Sequence, residues 1–347
     1  MSKICIEMEK LSNPNSGLGQ YCYHLGKELM KIEDEELEKI FFVPSPGIFG
    51  AGLYVRQHPL HKFFMRGADQ YDMWHCTHQQ SKYLPSNKKT KLILTIHDLN
   101  FLEKYTSSVQ IKNKLKAVQK LVNRASGIVF ISHYTEKVTR ENLIIPAIPT
   151  KVIYNGNNTD GTLQETRPTQ VPPGDFIFTI GIINPKKNFK VLLCLLKAFP
   201  RLTLVIAGNK DHDYAKEILN EAISKGLQER LLMPGLISEE EKKWYYKNAK
   251  AFVFPSVSEG FGLPVIEAMS LGKPVFLSDL SSLPEVGGEE AYYWKSFDEP
   301  EMVKVFREGL NDFENDPQKK ERIRSWSTRF SWENAAAEYW NFYKELI

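Results

Sequence analysis

The chain has 347 residues, 42% of them hydrophobic and 25% charged, with 45 basic and 42 acidic side chains giving a net charge of +3. That length suits two ordinary α/β domains, the composition excludes a disordered chain, and the near balance of charge gives no support to a nucleic-acid partner. No apolar run approaches the ~20 residues that cross a bilayer, no tripartite leader pattern opens the chain, and the four cysteines (Cys5, Cys22, Cys76, Cys194) form no CxxC pair, so a reduced, soluble cytoplasmic protein is expected.

Lys3–Met8 is the first expected strand. Gly17-Leu-Gly-Gln-Tyr21 follows it and opens a helix through Leu25 and Leu29. A nicotinamide fingerprint needs G-x-G-x-x-G tight against the strand; here the third glycine is Gly26 and the loop from Met8 is long, so that reading fails. Further strands are expected at Lys39–Val43, Met73–Thr77, Lys91–His97, Gly127–Ser132 and Lys151–Tyr154. Many are near-continuous apolar runs, as strands buried on both faces should be. His75-Cys76-Thr77-His78 holds metal-ligand types, but strand alternation sends neighbours to opposite faces and no distant second pair stands out, so no metal site is expected. His97 ends its strand at the carboxyl edge, where ligands sit in open α/β sheets.

Val109–Ala125 is expected to be a helix with Ile111, Leu115, Val118 and Val122 on one stripe. Lys112, Lys114, Lys116, Lys120 and Arg124 line the other face. A solvated basic face is the default; contact with anionic lipid headgroups is the alternative, with Lys88, Lys89 and Lys91 nearby. Asn155–Asp175, with its Asn-Gly-Asn-Asn, Gly161 and Pro172-Pro173-Gly174, is the best domain boundary. It separates an N-terminal domain, 1–160, from a second, 172–330. A capped amphipathic helix, Ser331–Leu346, closes the sequence.

The second set of strands is expected at Phe176–Gly181, Leu202–Gly208, Leu231–Met233, Ala251–Pro255 and Pro274–Ser278, again alternating with helices as in parallel βαβ units. Asp211-His212-Asp213 reads as a solvated loop. After Ala251–Pro255 comes a loop with Gly260 and Gly262, and a helix opens at Pro264. Such a helix start presents free N–H groups and a positive dipole end to a phosphate. Glu259 stands ahead of it and Glu267 one turn inside. A carboxylate accepts paired hydroxyls well, which suits the diols of a ribose and a hexose. Spacing alone leaves open a capped helix with a solvated acid on each side.

Glu259-Gly-Phe-Gly-Leu-Pro-Val-Ile-Glu267, with Pro255-Ser256 and Ala268-Met269…Gly272-x-Pro274-Val275, resembles the Glu-x7-Glu signature of the retaining GT-B glycosyltransferases of family GT4. Gly181-Ile-Ile-Asn-Pro-Lys-Lys-Asn-Phe189 resembles the family's Arg-Lys-Asn segment, with Lys186 where the arginine stands, a point charge in place of a bidentate fork. Gly17-Leu-Gly19 and His97-Asp98 resemble its N-terminal glycine loop and His-Asp segment, and Asn155-Gly156 and Phe330-Ser331-Trp332-Glu333 match further features. The resemblance implies two Rossmann-like domains facing across a cleft, with the C-terminal helix, about 331–347, returning to the first. It implies that Glu259 and His97 contact the transferred sugar, and that Glu267 contacts the ribose. Lys186, Lys187, Gly17, Gly19 and the amides of Phe261, Gly262 and Leu263 would hold the diphosphate.

The expected reaction is retaining transfer of a mannose- or glucose-type hexose from a UDP- or GDP-sugar to a glycan or lipid-linked acceptor in surface polysaccharide or glycoconjugate synthesis. It needs neither metal nor cofactor, with domain closure excluding water. The base is expected near Gly208–Asn209 and Pro234–Gly235, and the acceptor near the loops of Phe49–Gln79. A peripheral position at the inner membrane face follows if the basic helix touches lipid. A nucleotide-sugar epimerase or hydrolase of the same fold, and a non-catalytic nucleotide-sugar-binding protein, are the rival readings.

Overall fold

The computed structural model describes the chain except residues 15, 63, 64, 66, 68, 69, 105, 106 and 160–162, and the side chains of 103 and 104. Gly161 and part of the Phe49–Gln79 loops therefore lie outside the described residues. The chain divides into two compact units, Met1–Asn158 with Phe330–Ile347, and Thr159–Arg329.

In the first unit the strands are β1 (Ser2–Glu7), β2 (Leu37–Val43), β3 (Leu53–Arg56), β4 (Met73–Cys76), β5 (Lys91–Ile96), β6 (Gly127–Phe130) and β7 (Thr150–Val152). Its helices are α1 (Gly17–Lys31), α2 (Phe101–Lys104), α3 (Ser108–Val122) and α4 (His133–Asn142). The second unit carries β8 (Phe176–Ile180), β9 (Thr203–Ala207), β10 (Leu231–Gly235), β11 (Ala251–Phe254), β12 (Val275–Ser278) and β13 (Tyr292–Trp294). Its helices are α5 (Leu193–Ala198), α6 (Asp213–Ser224), α7 (Glu239–Asn248), α8 (Leu263–Ser270), α9 (Leu283–Gly287), α10 (Glu299–Asn315) and α11 (Lys319–Ser327). The last helix, α12 (Trp332–Glu345), belongs to the first unit.

Strand order is β3-β2-β1-β4-β5-β6-β7 in one sheet and β10-β9-β8-β11-β12-β13 in the other. Every strand pair is parallel. The second unit therefore has the doubly wound Rossmann order, 3-2-1-4-5-6, and the first has the same order with a seventh strand added; in both, chain direction across the sheet reverses beside the first strand and opens a crevice at the carboxyl ends. Those switch points lie between β1 and β4, and between β8 and β11.

β3 and β13, which the sequence pattern does not mark as strands, are each one of the two outer strands of their sheets, β7 and β10 being the others. An edge strand has one neighbour and an exposed flank, so it lacks the long apolar run that marks the inner ones.

α12 is bound to the first sheet by a buried polar chain. Tyr21 donates to Tyr339 at 2.9 Å, Thr95 lies 3.0 Å from Tyr339 and 2.8 Å from His75 Nε2, and His75 Nδ1 lies 2.8 Å from the Tyr343 hydroxyl. His75 is thus a core histidine facing α12, while Cys76 packs into the apolar cluster with Trp74 and Leu94. Asn155-Gly156 and the Phe330–Glu333 stretch, far apart in sequence, meet. A Cβ on Gly156 would come within 2.1 Å of the Trp332 backbone nitrogen, and the Trp332 indole donates to Asn158 Oδ1 at 2.9 Å.

Candidate active site

In the second unit the switch point gathers the residues that the sequence singles out. β8 ends just before Gly181, whose φ of +154° lets the chain turn into the loop of Asn184–Asn188. β11 ends before Pro255 and Ser256. Lys187 Nζ reaches Glu259 Oε1 at 2.5 Å, with each side chain 13% exposed, and lies 4.7 Å from the Phe254 ring centroid. Ser256 Oγ donates to the same carboxylate oxygen at 2.5 Å. Two loops from adjacent strands are tied further by the Lys186 carbonyl, which accepts from Val257 N at 2.9 Å and Ser256 Oγ at 3.1 Å. The half-buried Lys186 has no carboxylate partner among the described residues, and Asn184 Oδ1 is buried without a hydrogen bond.

The Glu259 loop is braced from below. Its backbone N–H donates to Ser281 Oγ at 3.1 Å, and Ser282 Oγ donates to the carbonyls of Glu259, at 3.1 Å, and Phe261, at 2.7 Å. Gly262, at φ +118°, is the residue before α8, and no side chain caps that helix start. The first amides of α8, from Leu263 onward, thus lack the usual side-chain acceptor and carry the positive end of the helix dipole. Phe261 itself is buried, 3% exposed.

Glu267, 4% exposed, accepts from Lys242 Nζ at 3.1 Å and from the Tyr246 hydroxyl at 2.9 Å. Lys242 and Tyr246 are one turn apart on α7, which starts with a Ser238/Glu241 capping box. Neither is singled out by the sequence reading. Their i, i+4 spacing is a signal, but one shared by many helices whose faces only pack. The glycines expected near the base also meet: a Cβ on Gly208 would lie 1.9 Å from the Gly181 carbonyl oxygen, and Gly208 N donates to Gly235 O at 2.7 Å.

In the first unit the carboxyl edge of the sheet carries Gly17, Gly19 and His97. Ser16 caps α1 by accepting from Gly19 N at 3.0 Å, so the Gly19 amide is already engaged. Glycine is required there because a Cβ would sit 2.1 Å from the Asn13 carbonyl oxygen; at Gly17 a Cβ would meet nothing within 4 Å. His97, 5% exposed, has Nε2 at 2.8 Å from the Thr77 carbonyl and its ring edge-on to Tyr21 at 4.5 Å. A carbonyl only accepts, so the ring proton is on Nε2 and Nδ1 is an acceptor. Burial pushes the imidazole down to about 3. The ring is neutral at physiological pH, suited to accepting a hydroxyl and unsuited to acting as a general acid.

The sign of that shift makes a stability prediction. A histidine at about 3 in the folded chain and near 6.5 unfolded stabilises the fold above pH 6.5, and that contribution is lost as pH falls from 6.5 toward 3. Thermal melts between pH 7 and pH 4 are expected to fall more steeply for the wild type than for His97→Gln. Parallel curves would contradict the buried neutral ring.

At the first unit's own switch point Glu7, Glu9 and His78 offer ligand atoms all within 4.8 Å of one another. The structure thus joins His78 to Glu7, the last residue of β1, and to Glu9 just beyond it, and not to its sequence neighbours His75 and Cys76. Glu7 is fully buried and its carboxyl is pushed up by that burial, while its Oε2 has no hydrogen-bond partner. His78 Nδ1 accepts from Gln80 N at 3.2 Å, which puts the ring proton on Nε2, 3.4 Å from Glu9 Oε2. In that tautomer the nitrogen facing the acids is a donor and not a free metal ligand.

Residues 21–160 match the family model described as Glycosyltransferase Family 4, and residues 165–329 that described as Glycosyl transferases group 1. The chain is 24% identical to the O-antigen chain mannosyltransferase B of Escherichia coli, over 99% of this chain and 100% of that protein. It is 33% identical over 170 residues to the serotype-specific mannosyltransferase WbdA of Escherichia coli, a match covering 47% of this chain and 21% of that one. Sucrose-phosphate synthase from Thermosynechococcus elongatus superposes with a TM-score of 0.78 at 18% identity, over 100% of this chain and 99% of that chain. Anabaena HepE in complex with UDP and glucose gives 0.76 at 19% identity, over 99% and 100%. These structural likenesses show the GT-B fold, built from two Rossmann-like units.

Proposed function

Because the chain belongs to the group 1 glycosyltransferases and is a glycosyltransferase, we propose that it transfers a hexose, mannose in the first instance, from a UDP- or GDP-linked donor to a glycan or lipid-linked acceptor of a surface polysaccharide. The transfer is proposed to retain the anomeric configuration and to need no metal. The observation that carries this reading is the meeting of Lys187 and Glu259 at the β8/β11 switch point, beside the uncapped start of α8. The two mannosyltransferase relatives favour the sugar and the pathway.

As the donor bond breaks, negative charge grows on the departing diphosphate. Lys187, the unpaired Lys186 and the first amides of α8 stabilise it, the electrostatic effect that usually dominates such catalysis. With the ribose accepted by Glu267, Lys242 and Tyr246 fix that carboxylate before the nucleotide arrives. Glu259 already has one oxygen engaged by Lys187 and Ser256, which suits a sugar-hydroxyl acceptor better than a nucleophile. Retention then follows from attack on the face the diphosphate leaves, with the diphosphate taking the acceptor proton. Gly17 and His97 are assigned to the diphosphate and the sugar. NMR of the product formed from GDP- and UDP-linked α-mannose in EDTA is expected to show an α-linkage; a β-linked product, or turnover that needs added metal, would overturn this mechanism.

Lipid contact through α3 is a further part of the proposal. Lys112, Lys116 and Lys120 are exposed at four-residue intervals, and Lys88 and Lys89 are exposed too. Two other cations are structural: Arg124 donates to the carbonyls of Asn87 and Thr90, and Lys91 to those of Leu346 and Ile347. Flotation with vesicles is expected to rise with anionic lipid content and fall in a Lys112/Lys116/Lys120→Gln triple variant; binding indifferent to both removes this part.

A further inference from the structure

The amino edge of the second sheet carries a cavity that the transfer reaction does not use. It has a volume of about 460 Å³ and lies where the chain enters β11 and β12. Five cations line it, Lys247, Lys250, Lys273, Lys320 and Arg324, against one carboxylate, Glu165. Glu165 is held by Lys247 at 2.9 Å. Lys250 and Arg324 find their acids outside the lining, at Asp175 and Glu314 and at Glu321. Lys273 and Lys320 have no carboxylate partner among the described residues. Lys273 uses one donor, on the Ala249 carbonyl at 2.9 Å, of the three an ammonium carries.

The backbone is shaped to allow this crowding. Gly272, at φ +68°, makes the turn between α8 and β12, and a Cβ there would come 2.7 Å from Lys320 Cγ and 2.9 Å from Arg324 Nε. Glycine thus lets two basic side chains of α11 lie over the turn beside Lys273. Like charges gathered in a half-closed cavity repel, and the repulsion is legible: burial, then Lys320 and Arg324, push the Lys273 ammonium down to about 8. An anion in the cavity would relieve it.

We propose that this cavity binds a soluble phosphate ester or diphosphate carrying two or more negative charges, at a site separate from the donor site. Separation follows from α8, an eight-residue helix of about 12 Å with the Glu259 loop at its start and Gly272 just beyond its end. The volume is that of a small-molecule pocket, and the concavity selects a discrete phosphate compound over a flat bilayer surface.

Pyrophosphate is the probe, and the test begins in a Lys187→Ala background so that the donor site contributes little. Pyrophosphate is expected to raise the melting temperature of that protein. Adding Lys320→Gln with Arg324→Gln, both on α11, should weaken binding about tenfold for each charge removed while leaving the unliganded melt no lower, since the change relieves repulsion. An unchanged pyrophosphate affinity in the triple variant, or no shift in the Lys187→Ala parent, overturns the site. Flotation with phosphatidic-acid vesicles is the second arm: Lys320- and Arg324-dependent vesicle binding without pyrophosphate binding would assign the cavity to a lipid headgroup and overturn the soluble ligand.

Discussion

Lys187→Ala is expected to lower kcat/KM for transfer about a hundredfold, ~3 kcal/mol, the usual cost of removing one preorganised donor from developing negative charge. The chain should stay folded, because the lysine stands in a loop and not in the sheet core. Its loss has a second consequence. Glu259 would keep only Ser256 on its engaged oxygen, and a carboxylate with a side chain 13% exposed is poorly solvated. Removing one partner of a shielded ion pair leaves the other charge uncompensated. Glu259→Gln should therefore cost less in the Lys187→Ala background than in the wild type, and the double-mutant cycle should be non-additive by more than 0.5 kcal/mol, roughly the threshold for residues in contact. Strict additivity, or wild-type turnover in either single variant, would show that the pair takes no part in transfer.

Gly208→Ala is expected to have the largest effect on stability. Its φ of +124° strains any side chain, and the new Cβ would lie 1.9 Å from the Gly181 carbonyl oxygen, a backbone atom that cannot swing aside. Strain and overpacking together should cost about 3–5 kcal/mol, which for a unit of this size lowers the melting temperature roughly 10 °C. Because Gly181 leads directly into the Lys186-Lys187 loop, whatever survives should also bind nucleotide weakly. Gly174→Ala is the control: φ is +72° there but a Cβ meets nothing within 4 Å, so only about 1 kcal/mol of backbone strain is expected. Equal melting temperatures for the two variants would contradict the close approach of β8 and β9.

Much of this site was legible in the sequence, for a physical reason. Inner strands of a parallel sheet are apolar on both faces, so their ends are sharp, and chemistry-bearing residues just past an end fall at the ligand edge. Lys187, Glu259 and His97 stand at such edges, and it is the resemblance to family GT4 that assigns them roles there. What could not be read is what depends on pairing. β3 and β13 carry no inner-strand pattern. Lys242 and Tyr246 matter only because α7 lies against α8, and Gly19 proves to be a packing glycine whose amide Ser16 takes. Arg124 and Lys91 look like surface charges along the chain, and only the fold shows them tied to backbone carbonyls.

Calorimetric titration of UDP and GDP into the wild type and into Lys187→Ala tests the donor site most directly. At its tighter site one of the two nucleotides should bind the wild type at least tenfold more strongly than it binds Lys187→Ala, the loss expected of a charged hydrogen bond to phosphate. Equal affinity in the two proteins would mean that the diphosphate is held elsewhere.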